Sequence, residues 1–179
     1  LSRETLTASQ DTTLTFKTND LLEPEVSVTL TETSIPKLEP HYMRFRTREG
    51  QQWLPETHRG KVILLAYFAS FCPPCFHEFP DLETHVWNRY KSSDDVLVIG
   101  VASPVDSPKM IGHFIKQTGI TFPIVFAGQP APVQLGRPEE LITYFPLDVI
   151  IDRDGKIADV STVMDVSHLI KTIESLRKK

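Results

Sequence analysis

Only two cysteines occur in the 179 residues, too few for a small scaffold stapled by disulfides. No apolar run approaches the roughly 18 residues needed to span a bilayer. The longest, Val62–Phe71, has the character of a buried strand. Basic stripes are missing too: the net charge of −4 is mild and its carriers are interspersed, which argues against nucleic acid as a partner. There is no internal repeat and no low-complexity tract, so nothing supports a repeat architecture. Glycine is absent from residues 1–39, a Thr-, Ser- and Glu-rich stretch with weak alternation over Thr13–Lys17 and Val26–Leu30. Residues 1–37 are therefore read as an N-terminal extension, either flexible or supplying an edge strand, and 38–179 as the main domain. Leu1 is not a start methionine, so an upstream segment is expected, with room there for a signal peptide or membrane anchor.

What is present has the proportions of a globular protein: 40% hydrophobic and 23% charged residues, enough for one well-buried domain of about 130–150 residues. A hairpin is predicted from Tyr42–Arg46, the turn Arg48–Gly50 and the return Gln51–Leu54. The buried strand Lys61–Ala69 follows. Helical spacing of Phe76, Phe79, Leu82, Val86 and Trp87 predicts a helix over Pro74–Tyr90, kinked at Pro80, which lacks a backbone donor. Val96–Val101 reads as a second strand, Pro108–Gln117 as a helix closed by Gly119, and Thr121–Phe126 as a third strand. A Pro/Gly-rich loop, 128–138, leads to a short helical turn at Glu139–Tyr144. Leu147–Asp152 and Lys156–Ser161 flank the hairpin signal Arg153-Asp154-Gly155, and Val166–Leu176 closes the chain as an amphipathic helix with a basic tail. This order predicts an α/β fold: a mixed sheet with helices on both faces.

Both cysteines fall in one motif, Cys72-Pro73-Pro74-Cys75, at the junction between the first central strand and its helix. Unpaired N–H groups and the helix dipole at such a junction favour a thiolate, and a partner thiol three residues on can close a reversible disulfide. The competing reading, half of a zinc site, needs two further ligands, and neither His77 nor His85 has a usual spacing.

Five segments in order resemble the thioredoxin superfamily, and within it the TlpA/ResA/CcmG-like extracytoplasmic thiol–disulfide oxidoreductases. They are Gly60–Leu65, Tyr67–Cys72, Cys75–Pro80, Phe122–Val125 and Pro146–Asp152 with Asp154–Ile157; the likeness covers about residues 38–179. The resemblance implies a thioredoxin-like fold, no cofactor beyond the Cys72–Cys75 pair, and oxidised proteins, apocytochrome c among them, as substrates. It further implies a membrane or periplasmic thiol reductase as electron donor, a periplasmic or other extracytoplasmic setting, and a monomer. Cys72 is expected to be the nucleophile and Cys75 the resolving thiol. Glu78, one helical turn beyond Cys75, matches the family's proton-transfer glutamate, while the buried aspartate that ordinary thioredoxins carry six positions before the first cysteine is replaced by Ala66.

Pro146 is expected to be the cis-proline facing the motif, with the Phe145 backbone beside it ready to pair with substrate. Phe71, where the family has tryptophan, keeps an apolar lid without the indole donor. Two prolines between the cysteines remove two potential N–H donors to the Cys72 sulfur, which leans toward a reductant. Two rival readings remain. In one, a thioredoxin-fold protein holds copper with the same thiols, but related copper proteins space them CxxxC. In the other, a peroxide reductase would need Thr or Ser where Ala69 stands and Pro where Leu65 stands.

Overall fold

The computed structural model describes residues 12–16, 26–30, 43–127, 145–163 and 165–178. The predicted loop 128–138 and the helical turn at 139–144 lie outside the described residues. The chain divides into two compact units, Leu1–Lys37 and Leu38–Lys179. In the first, β1 (Thr12–Phe16) and β2 (Val26–Leu30) pair antiparallel with each other.

The second unit is built on a seven-stranded sheet. Its strands are β3 (Phe45–Arg46), β4 (Gln52–Trp53), β5 (Val62–Phe68), β6 (Val96–Ala102), β7 (Ile124–Ala127), β8 (Leu147–Ile151) and β9 (Ile157–Ser161). They lie in the order β4-β3-β7-β6-β5-β8-β9, with β5, β6 and β7 parallel and the remaining pairs antiparallel. Helix α1 (Pro73–Asp81) links β5 to β6 and is followed by the wide i→i+5 turns of Leu82–Trp87 and by the short α2 (Asn88–Tyr90). Helix α3 (Pro108–Thr118) links β6 to β7, and α4 (Val166–Arg177) ends the chain. β5–α1–β6 and β6–α3–β7 step the same way across the sheet, so right-handed crossovers put α1 and α3 on one face.

Alternation along β5 sorts the core into two layers. Val62, Leu64, Ala66 and Phe68 share a cluster with Cys72, Cys75, Phe79, Phe114 and the α4 residues Leu169, Ile173 and Leu176. Ile63, Leu65 and Tyr67 point the other way, toward Met43, Phe45, Val125, Leu147 and Val149. Both faces of β5 are thus buried, which is why its sequence is continuously apolar rather than alternating. Stacked and tilted contacts among Phe68, Phe76, Phe79, Phe114 and Phe122 tie the base of α1 to α3.

Local signals act where the sequence places them. Ser107 caps α3, its hydroxyl accepting from the amide of Met110, and Gly119 ends it at φ 70°, a left-handed value that suits glycine. Pro80, where a kink is expected, lies inside α1 next to its last residue, and i→i+5 turns follow from Leu82, with the Pro80 carbonyl accepting from the Thr84 hydroxyl at 2.8 Å. Thr121 lies just outside β7, its amide and hydroxyl donating to the Glu83 carboxylate. Arg177 at the end of α4 pairs with Asp95 at 2.8 Å, fastening the helix to the turn before β6. Among the described residues no helix is long and apolar enough to cross a membrane.

Candidate active site

β5 ends at Phe68 and the chain turns at once into α1, with the Cys72 amide donating to the Ala69 carbonyl at 3.0 Å. Cys72 has extended backbone angles (φ −91°, ψ 104°) and is the N-cap of α1. Pro73 opens the helix, a position where a missing N–H costs nothing and a fixed φ already suits the helix. The Cys75 amide donates to the Cys72 sulfur at 3.2 Å, so a sulfur fills the place usually taken by a capping hydroxyl or carboxylate. Cys72 and Cys75 are joined, S–S 2.08 Å and Cα–Cα 5.4 Å. Cys75 is fully buried, whereas Cys72 keeps 5% of its surface exposed beside Phe71, which is 60% exposed. The thiol that solvent and substrate can reach is therefore Cys72.

The turn before the cysteines is held by a residue that reading the sequence did not single out. The buried Asp106, in the loop after β6, accepts from the Ser70 amide at 2.9 Å and from the Ser70 hydroxyl at 2.6 Å. That loop is itself anchored, the Ser103 amide donating to the Phe68 carbonyl at 2.8 Å. It also presents Val105, 62% exposed. Replacing Asp106 with Ala would leave the Ser70 amide unpaired, with an expected cost of about 1–3 kcal/mol. Urea denaturation checks the loss, and hydrogen exchange should show faster opening confined to residues 69–72. Ser70→Ala, which keeps the amide bond, is expected to cost about 1 kcal/mol or less.

Phe145–Pro146 is a cis peptide bond, as expected, and Pro146 is buried. Antiparallel pairing of Tyr67 with Leu147 sets Pro146 level with Phe68, at the end of β5 from which the cysteines emerge. Phe145 is half-buried and packs against both core layers. Phe71, Cys72, Phe145 and Pro146 therefore come to one end of the sheet. Ile142, Thr143 and Tyr144, which precede Phe145 in the sequence, lie outside the described residues.

Glu78 is half-buried, one turn beyond Cys75 on α1. The residue missed here is Asp148. It is 4% exposed, lies in β8 directly opposite Ala66, and burial, then the charges of Glu78 and Asp159, pushes its carboxyl from an ordinary 3.8 up to about 7. A visible signal was available: an aspartate inside the apolar run Leu147–Ile151 interrupts what otherwise reads as a buried strand. His77, two residues beyond Cys75, is exposed. His168 contacts Asp159 through Nε2 at 2.8 Å. Among the described residues no three His, Cys, Asp or Glu side chains gather as a metal site.

Three kinds of comparison bear on this arrangement. The Redoxin family model matches residues 34–176. Thiol-disulfide oxidoreductase ResA of Geobacillus thermodenitrificans is 26% identical over 130 residues, covering 72% of this chain and 71% of the relative. ResA of Bacillus subtilis is 30% identical over 125 residues, 65% of each chain. The solution structure of a candidate protein disulfide isomerase from Bacteroides thetaiotaomicron superposes with a TM-score of 0.66 at 26% identity, covering 81% of this chain and 91% of that one.

Proposed function

The chain belongs to the Redoxin family, as a thioredoxin-fold thiol–disulfide oxidoreductase of the ResA-like branch, and from that premise we propose that it works as a reductase of protein disulfides. One observation carries the direction. The Cys72 sulfur accepts an N–H bond from Cys75, while Pro73 and Pro74, the two residues between, have no N–H to give. Fewer donors stabilise the thiolate less. A less stabilised dithiol form gives up its electrons more readily.

The cycle needs no cofactor. The Cys72 thiolate attacks a sulfur of the substrate disulfide, and one substrate cysteine leaves as a thiolate. The Cys75 thiolate then attacks Cys72, releasing the second substrate thiol and closing the Cys72–Cys75 bond. Two electrons pass to the substrate, and a thiol reductase must restore them. The exposed apolar rim of Phe71 and Val105 suits an extended cysteine-containing segment of a protein such as an apocytochrome c. Glu78 serves the resolving thiol. An extracytoplasmic site and a monomeric state accord with the resemblance to the TlpA/ResA/CcmG-like branch.

Equilibration with glutathione redox buffers tests the direction. A midpoint near that of thioredoxin, about −270 mV, is the expected result, and one near that of DsbA, about −120 mV, would overturn it.

A further inference from the structure

The face of the sheet on which α1 lies carries a carboxyl group that the proposed cycle does not use. Along β8, Leu147, Val149 and Ile151 belong to the layer away from α1, whereas Ile150 belongs to the layer with Cys72 and Cys75. Asp148 has the parity of Ile150 and stands opposite Ala66, itself in the Cys72–Cys75 layer. Its side chain therefore enters the layer beneath the dithiol. α1 brings Glu78 to that layer one turn after Cys75, and the two carboxyl groups interact as like charges. Among the described residues, the charged groups acting on Asp148 are Glu78 from α1 and Asp159 from β9, with His168 of α4 held against Asp159, and the β5 residue opposite it is the uncharged Ala66.

We propose that Asp148 is a positioning residue for resolution: its charge sets how strongly Glu78 takes the proton of the buried Cys75 thiol. The inference rests on the reductase reading above. In the step concerned, the Cys75 S–H proton moves to the Glu78 carboxylate, giving a Cys75 thiolate and a neutral Glu78. The thiolate forms a bond to Cys72 Sγ, the bond from Cys72 to the substrate sulfur breaks, and the electron pair leaves with that sulfur. An ionised Asp148 beside Glu78 makes the glutamate a stronger base, because like charges sharing a desolvated site cannot both ionise cheaply. A neutral Asp148 does not. Burial and Glu78 together push Asp148 up to about 7, so the change falls in the range where the enzyme would work.

Cys72 loaded with thionitrobenzoate tests this directly, since attack by Cys75 releases the yellow thiol. The wild-type release rate is expected to show, besides thiol ionisation, an inflection near pH 7. Asp148→Asn should remove that inflection and slow release about tenfold at pH 8. Glu78→Gln should slow it about a hundredfold, with Asp148→Asn adding nothing in that background. First attack, followed as the reaction of Cys75→Ser with the thionitrobenzoate disulfide, should not respond to Asp148→Asn. As a second measurement, the oxidised-minus-reduced infrared difference spectrum at pH 7 should contain a protonated-carboxyl band that Asp148→Asn abolishes. An unchanged pH profile, additive effects, or equal slowing of both steps would overturn the role of Asp148. Failure of the wild type to release thionitrobenzoate at all would instead overturn the Cys72–Cys75 exchange cycle itself, and a midpoint near that of DsbA would overturn the reductase reading.

Discussion

Cys72→Ser is expected to abolish disulfide reduction, lowering turnover in an insulin-reduction assay with dithiothreitol by about 10³-fold or more, since no other thiol in the chain can begin the exchange. Cys75→Ser has a different expected result. It keeps the attacking thiol and loses the resolving one, so it should accumulate a covalent adduct with an oxidised substrate, visible as an added mass that dithiothreitol removes. The asymmetry comes from the fold: Cys72 opens onto the surface at the N-cap of α1, and Cys75, one turn in, is sealed by the aromatic cluster around Phe79 and Phe114. Adduct formation by Cys72→Ser rather than Cys75→Ser would reverse the assignment.

The second large effect is on stability. Asp148 is held protonated in the folded chain up to about pH 7, against an ordinary value of 3.8. Between these limits the folded state binds a proton that the unfolded state has released, so stability falls as pH rises through the window. The full contribution is present below pH 4 and gone once pH exceeds about 7. The distance between the two values is worth about 4 kcal/mol. Asp148→Asn cannot ionise and escapes this loss. Urea denaturation at pH 5 and pH 8.5 should therefore show the variant gaining on the wild type by about 3 kcal/mol across the interval, the rest of the loss falling below pH 5. A constant difference at all pH values would mean that Asp148 is ionised throughout.

The same residue shows where sequence reading stops. Ala66 stands where ordinary thioredoxins carry their buried acid, and along the chain that position looks empty of charge. Across the sheet it is not, because the β5–β8 register sets Asp148 directly beside it, 82 residues further on. Asp106 is a similar case. Its bond to Ser70 spans 36 residues, and nothing in Ser103–Pro108 by itself indicates that the loop will fold back over the end of β5. The i→i+5 turns of Leu82–Trp87 were only partly legible: Pro80 announced a disturbance, but its form depends on how Val86 and Leu82 reach the sheet.

Local physics was legible wherever a residue acts on its own backbone or its immediate neighbours. The N-terminal position of Cys72 on a helix follows from a strand run ending in Cys-Pro-Pro-Cys, because proline opens helices and interrupts them elsewhere. β5 over Val62–Phe68 and β6 over Val96–Ala102 follow from short continuous apolar runs. The left-handed glycines at 119 and 155 follow from the turn chemistry around them. What the sequence by itself determined is thus the redox pair, its place at a strand-to-helix junction, and the α/β class. Tertiary structure alone decided which loop braces the two sulfurs and that a second carboxyl group lies in their layer. These depend on strand order and register, which bring together residues far apart in the chain, and no local pattern specifies such pairings.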